Sequence, residues 1–350
     1  MRGPLQFGMF APAPHVTVGS AHMARAVRGA AAPLEAGAVD PQYQLSRDTL
    51  IAADRAGFDL VLFAERHHGT DLEAFMLAAA ACGWTERLKL LVAVHPGLWR
   101  PQLIAKMTTT LDRMAPGRAA INLVTGWNVA EARMYGGDVM LEDDERYVRA
   151  EELVAVLRGM WATSHERGRR FSFNGRYYAV YDAELQLAPA GASPPEIFTA
   201  SRSETGLEMV ARIADWWFLS FDKSATSTEA MMDSISASVA GMKARAARHG
   251  RQVRIAFNPF VAFGPTREAA MAEALRLLTP DEPDADVRKM MSRVGPSMRA
   301  GCVGTPAQVR ATLERYHAMG IDLVLLQFVP TPENAAEIGR ELIAPLRGGA

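Results

Sequence analysis

The sequence predicts an α/β protein of the (β/α)8 class, a TIM barrel with insertions, and three observations predict it. Eight short β-type runs alternate with helical runs, the pattern of βα units around a parallel sheet. Eight is also the strand number that closes such a barrel. No glycine fingerprint follows the first run, as an open doubly wound sheet would require at its first turn. One domain is expected over residues 1–350, since α/β barrels of this length are commonly single domains.

The eight runs are Leu5–Phe10, Phe58–Phe63, Lys89–Val94, Arg118–Val124, Glu196–Thr199, Trp216–Leu219, Val253–Phe263 and Asp322–Phe328. Between them the 3.6-residue period recurs. Leu72, Phe75, Met76 and Ala79 share a face, as do Leu103, Met107, Leu111 and Met114, and later Val309, Leu313 and Met319. These apolar positions, with most of the 18 methionines, read as plain core. Gly57 and Gly320 stand between a helix and the next strand, where a left-handed C-cap belongs.

Three stretches interrupt the alternation. Residues 11 to 42 are a long Ala/Pro/Gly-rich connection, read as part of the active-site rim. Residues 169 to 182 place Asn174-Gly175 between aromatic β-formers, which predicts a hairpin. Residues 280 to 300 read as a mobile lid, with an ordinary surface loop as the alternative.

Composition narrows the function. Net charge is -1, with 49% hydrophobic and 22% charged residues, which argues against nucleic acid or a membrane surface as the main partner. Cys82 and Cys302 lie far apart, too few for a disulfide framework. With no secretory pattern and no long apolar run, a cytoplasmic location is expected. Dinucleotide, P-loop, nucleophile-elbow and H-E-x-x-H motifs are missing from the sequence, and no metal is expected.

Candidate functional residues gather at strand C-terminal ends, where parallel α/β proteins hold ligands. The second run ends in Glu65-Arg66-His67-His68-Gly69-Thr70-Asp71, a source of acid, base or hydrogen-bond donor near neutral pH. His67 is the candidate for facing the cavity; His68 serves catalysis or braces the loop. His95 closes the third run, as pocket wall or core. Asn122 and Thr125 close the fourth and suit a polar ring edge, with Trp127 as an aromatic wall; the alternative is a closed backbone gap and simple packing. After the fifth run, Ser203 is an N-cap, and with Arg202 and free amides it forms a phosphate-sized anion site. A flavin mononucleotide satisfies this set, and so do other phosphorylated ligands.

Beyond these residue readings, the chain resembles the bacterial luciferase-like monooxygenases over nearly its whole length. The most specific element is Asn122-Leu123-Val124-Thr125-Gly126-Trp127-Asn128, similar to the motif of the alkanesulfonate, dimethyl sulfone and pyrimidine monooxygenases. Gly117-Arg118, Asp144-Glu145-Arg146-Tyr147, Val303-Gly304-Thr305-Pro306 and Gly320-Ile321-Asp322 support it. His67-His68 resembles the pair of the luciferase catalytic subunit. Pro96-Gly97-Leu98-Trp99-Arg100-Pro101 and Asn258-Pro259-Phe260-Val261 resemble the sulfone enzymes most.

The resemblance implies FMN, used as FMNH2 with O2, and an NAD(P)H-dependent FMN reductase as partner. It implies a flavin (hydro)peroxide that oxygenates a small organic molecule, with C–S cleavage of a sulfone or sulfonate as the leading expectation. It also implies a homodimer or homotetramer. Matched residue by residue, Asn122, Glu131, Arg146, Tyr147 and Ser203 fall on FMN-contact positions, with Glu65 and Arg66 at a further one and Thr125 inferred nearby. His67 and His68 are the catalytic candidates; His95, Trp127, Asn258, Phe260 and Arg299 line the substrate pocket.

The sequence also departs from its relatives. Alkanesulfonate monooxygenases carry an Arg and a His where this chain has Asn258 and Phe260, which removes a partner for a sulfonate and favours a neutral substrate; Arg299 of the lid would restore a charge. The sulfone and pyrimidine enzymes lack the Glu65-Arg66-His67-His68 run, which leaves a nitrogen heterocycle or another neutral substrate open. The rival readings are an F420-dependent hydride-transfer enzyme of the same fold, a flavin-binding barrel without turnover, and an unrelated phosphate-site isomerase or aldolase.

Overall fold

A computed structural model describes residues 3–12, 33–65, 67, 71–126, 129–136, 141, 143–191, 193–222, 224–278 and 298–348, without the side chains of 129–131 and 143. Its strands are β1 (Gln6–Phe10), β2 (Leu60–Phe63), β3 (Lys89–Val94), β4 (Ala119–Leu123), β5 (Phe171–Asn174) and β6 (Ala179–Ala183). There follow β7 (Glu196–Ala200), β8 (Trp216–Leu219), β9 (Arg254–Phe257), β10 (Ala262–Phe263), β11 (Val303–Gly304) and β12 (Leu323–Leu326). Eight of them close a parallel barrel in the order β1-β12-β9-β8-β7-β4-β3-β2. Each of the eight predicted runs supplies one barrel strand.

Strand alternation fills the barrel. Phe10, Leu60, Leu62, Leu91, Ala120, Phe198, Trp216, Phe218, Ala256, Leu323 and Leu325 form one inner cluster. Phe198 and Trp216 stack at 5.0 Å between centroids. Gly8 leaves room for Leu325 and Leu60, because a Cβ there would lie 3.0 Å from Leu325 Cδ1 and 3.1 Å from Leu60 Cδ2. At the N-terminal end, Glu196 receives Lys89, Arg254 and the Trp216 indole N–H, and the Arg254 guanidinium lies 4.0 Å over the Trp216 ring. Charged groups thus seal the end opposite the C-terminal mouth of the barrel.

Local signals set the helix ends. Asp40 caps the helix Pro41–Ala56, accepting from the amides of Gln42 and Tyr43, and Gly57 ends it at φ 91°. Thr305 and Gln308 form a capping box on Pro306–Met319, which Gly320 ends at φ 118°.

Three expectations change. The run Val253–Phe263 is two strands: the chain breaks at Asn258-Pro259, where proline offers no N–H to a ladder, and β10 pairs with β11 outside the barrel. The hairpin β5–β6 forms, but Gly175 to Tyr178 all lie in its turn, and Gly175 has no positive φ. Its glycine is needed for space, since a Cβ would lie 2.5 Å from the Glu152 carboxylate. The stripe Leu103, Met107, Leu111, Met114 is not plain core either. The helix Pro101–Met114 turns Ile104, Ala105, Thr108 and Leu111 inward, whereas Leu103 and Met114, like Met76 on the helix Ala74–Ala81, are exposed. The rim segment at 13–32 and the lid at 279–297 lie outside the described residues.

Among the described residues no helix is long and apolar enough to cross a membrane. No group of His, Cys, Asp and Glu among them could hold a metal ion. Both cysteines are free thiols.

Candidate active site

Inner-face alternation continues past the strand ends and delivers polar residues to the C-terminal mouth. Asn122 lies two residues beyond inner Ala120, paired in register with Ala93 and Phe198. Asn258 follows Ala256 and Gln327 follows Leu325 in the same way; Gln327 Nε2 donates to Asn258 Oδ1 at 2.8 Å and to its carbonyl at 2.7 Å. Thr125 is half-buried just after β4.

A cradle of hydroxyls forms where the helix Asp143–Thr163 meets the turn after β7. Tyr147 Oη lies 2.9 Å from Ser203 Oγ, and Ser201 Oγ and Arg146 Nη2 donate to it at 3.4 and 3.1 Å. Ser203 caps the helix Glu204–Ile213 by accepting from the Gly206 amide. Gly206 is required here, since a Cβ would lie 1.8 Å from Ser201 Oγ and 2.8 Å from Tyr147 Cζ. Burial pushes the Tyr147 hydroxyl up, but hydrogen bonds with Ser201, Ser203 and Arg146, and the Arg146 charge, bring it below the usual tyrosine value. Hydroxyls, a guanidinium and a helix N-terminus together are a donor set for a phosphate, so the residues present fit the phosphate end of a flavin mononucleotide.

Histidines occupy the ends of β2 and β3. Glu65 is buried, and its Oε2 accepts from Ala74 N at 2.8 Å, which ties the loop after β2 to the helix Ala74–Ala81. Its other oxygen lies 3.6 Å from His67 Nδ1. The His67 ring packs edge-on against His95 at 5.3 Å and Tyr135 at 5.0 Å. His95 is 7% exposed, and neither ring nitrogen has a hydrogen-bond partner among the described residues. Burial, and then the neighbouring His67, lower its pKa to about 4. It is a neutral imidazole at pH 7, able to donate from one nitrogen and accept at the other.

The structure thus gathers Arg146, Tyr147 and Ser203 in one cluster, and Glu65, His67 and His95 in another. Phe260 is fully buried in a satellite cluster with Ala262, Ala270, Ala274 and Val303, and its backbone bridges Gln327. Arg299 is half-buried next to Ala300. Arg66, His68 and Trp127, and the side chain of Glu131, lie outside the described residues. The sequence reading did not single out Ser201, Gly206 or Tyr135; only contact across the fold marks them.

Comparison with known proteins agrees with this architecture. The luciferase-like monooxygenase family model matches residues 6–323. An FMNH2-dependent dimethylsulfone monooxygenase of Pseudomonas putida is 30% identical over 324 residues, covering 84% of this chain and 85% of that protein. The long-chain alkane monooxygenase structure superposes with a TM-score of 0.78 at 18% identity, over 99% of this chain and 92% of that one. DmoA from Hyphomicrobium sulfonivorans gives 0.74 at 20% identity, over 99% and 88%. The family model matches a closed parallel barrel from β1 into β12, and this chain belongs to the luciferase-like monooxygenase family.

Proposed function

We propose that this protein is an FMNH2- and O2-dependent monooxygenase that oxygenates a small neutral organic molecule, a sulfone in first place, with FMNH2 delivered by a separate NAD(P)H-dependent reductase. The observation that carries it is the cradle of Arg146, Tyr147, Ser201 and Ser203 at the same barrel mouth as Asn122 and His95. The curated relative named above supports the cofactor and substrate class.

Arg146, Tyr147, Ser203 and the helix N-terminus hold the phosphate, and Asn122 offers an amide to the ring edge. The chemistry supplied by reduced FMN when bound is two-electron activation of O2. The chain keeps water from that site, since water access diverts reducing equivalents into hydrogen peroxide. His67, oriented by Glu65, is the group able to hold or move a proton. His95 and Asn258 present neutral donors and acceptors, which suit sulfone oxygens better than a charged sulfonate.

Assembly as a homodimer is part of the same reading. Exposed Met76 and Met114 line an apolar groove with Phe75, Met107 and Leu111 between the helices Ala74–Ala81 and Pro101–Met114, the kind of surface a second copy covers. Met76→Glu combined with Met114→Glu is expected to give monomers by light scattering.

The deciding experiment is turnover with FMN, a reductase and NADH under air, on sulfones, sulfonates and nitrogen heterocycles, with products identified by mass spectrometry. Oxygen-dependent loss of a sulfone supports the reading. Failure of the protein to bind reduced FMN, or to oxygenate any of the three classes, overturns it.

A further inference from the structure

His95 opens the turn after β3, and contacts from outside the barrel hold that turn. Leu98 N donates to His95 O at 3.2 Å, and an isolated bridge pairs Pro96 with Trp99. Gly97 sits at φ 98°, in the left-handed region. A Cβ there would lie 2.5 Å from Arg149 Nη1, so the buried guanidinium is packed against the turn. The Gly97 amide donates to Tyr178 Oη at 3.0 Å.

Tyr178 belongs to the turn of the β5–β6 hairpin, and that turn is itself clamped. Glu152, on the helix Asp143–Thr163, accepts from the amides of Arg176, Tyr177 and Tyr178 at 2.7, 2.8 and 3.1 Å. Gly175 N donates to Tyr178 O at 2.9 Å. A continuous path of hydrogen bonds therefore runs from the helix carrying Arg146 and Tyr147, through the hairpin, to the turn after His95. It is independent of the barrel ladder.

At the end of that path is a buried imidazole whose two nitrogens have no hydrogen-bond partner among the described residues. Such a group is costly to bury unless a ligand completes it. Among the described residues the titratable groups near it are His67, edge-on to its ring, Glu65 and Tyr135, both next to His67, and Arg149 against Gly97.

We infer that Tyr178 is a positioning residue: by accepting from the Gly97 amide, it lets the hairpin hold His95 with both nitrogens turned to the substrate and away from water. The inference rests on the function proposed above in taking this mouth as the substrate pocket. It gives the hairpin, an excursion that barrel closure does not need, a task at the site.

Tyr178→Phe keeps the ring and deletes the acceptor. In flavin-free protein labelled with 15N-histidine, His95 (assigned by its loss in His95→Asn) is expected to titrate near 4 in the native chain. In Tyr178→Phe it should move upward by about one pH unit or more, as a loosened turn admits water to the ring. Glu152→Gln, which loosens the same turn from its other end, should shift it in the same direction.

With FMN, reductase and substrate under air, Tyr178→Phe should raise the substrate KM and lower product per NADH by about fivefold, the size of one lost hydrogen bond. Affinity for reduced FMN should stay at the native value. A purely structural role would lower Tm without moving His95. Folded Tyr178→Phe with an unshifted His95 titration overturns the inference. Lack of oxygenation by the native protein would instead sink the proposed function, and the titration would still decide the positioning role.

Discussion

Tyr147 Oη and Ser203 Oγ stand 2.9 Å apart although 56 positions separate them in sequence. One comes from the helix Asp143–Thr163, the other from the N-cap of the next barrel helix, so the cradle exists only once two βα units have docked. Its donors are already aligned on one another, which lowers the ordering cost of binding an anion there.

Tyr147→Phe removes the hydroxyl that joins Arg146, Ser201 and Ser203. Affinity for reduced FMN in an anaerobic titration should fall about tenfold, from one shared hydroxyl at roughly 1–1.5 kcal/mol. Unchanged affinity would mean that the phosphate lies elsewhere.

Gly206→Ala places a methyl 1.8 Å from Ser201 Oγ and 2.8 Å from Tyr147 Cζ. The hydroxyl cluster must open to accept it. Reduced-FMN affinity should drop more than tenfold, with a stability cost of about 1–3 kcal/mol seen in denaturant unfolding.

His95 makes stability depend on pH. Its folded pKa, about 4, lies below the ordinary 6.5 of an exposed histidine. Between those values the unfolded chain binds the proton and the folded chain does not. Stability should therefore fall as pH drops from 6.5 towards 4, by about 3 kcal/mol at most, and this contribution levels off below 4. In His95→Asn the part of the slope due to this residue should vanish from Tm measured across the same window. A slope identical to the native one would show that His95 is not buried neutral.

Glu196 closes the other end of the barrel, where it meets Lys89, Arg254 and the Trp216 indole. Glu196→Ala would leave two cations facing each other without their shared anion. The pair is partly exposed, so the expected loss is about 2 kcal/mol, below that for a fully buried charge. Denaturant unfolding should register it while reduced-FMN affinity stays within twofold, roughly 0.4 kcal/mol, because the mouth lies at the opposite end.

The sequence alone determined the barrel. Strand runs bounded by turn signals, alternation that sends Leu91, Ala120 and Phe198 to one face, and caps at Asp40, Gly57, Thr305 and Gly320 are all local, and each acts within a few residues of itself. For the same reason Ser203 was legible as an N-cap. The tertiary structure decided what those residues meet. No spacing rule links Tyr178 to Gly97 or Gly206 to Tyr147, because these contacts join segments far apart in sequence and depend on how the helices pack around the ring. It also decided which apolar faces stay open, since a periodic stripe on a helix does not say whether the barrel or another surface will cover it. Periodicity fixes which side of an element is apolar or polar, and only packing fixes the partner on that side.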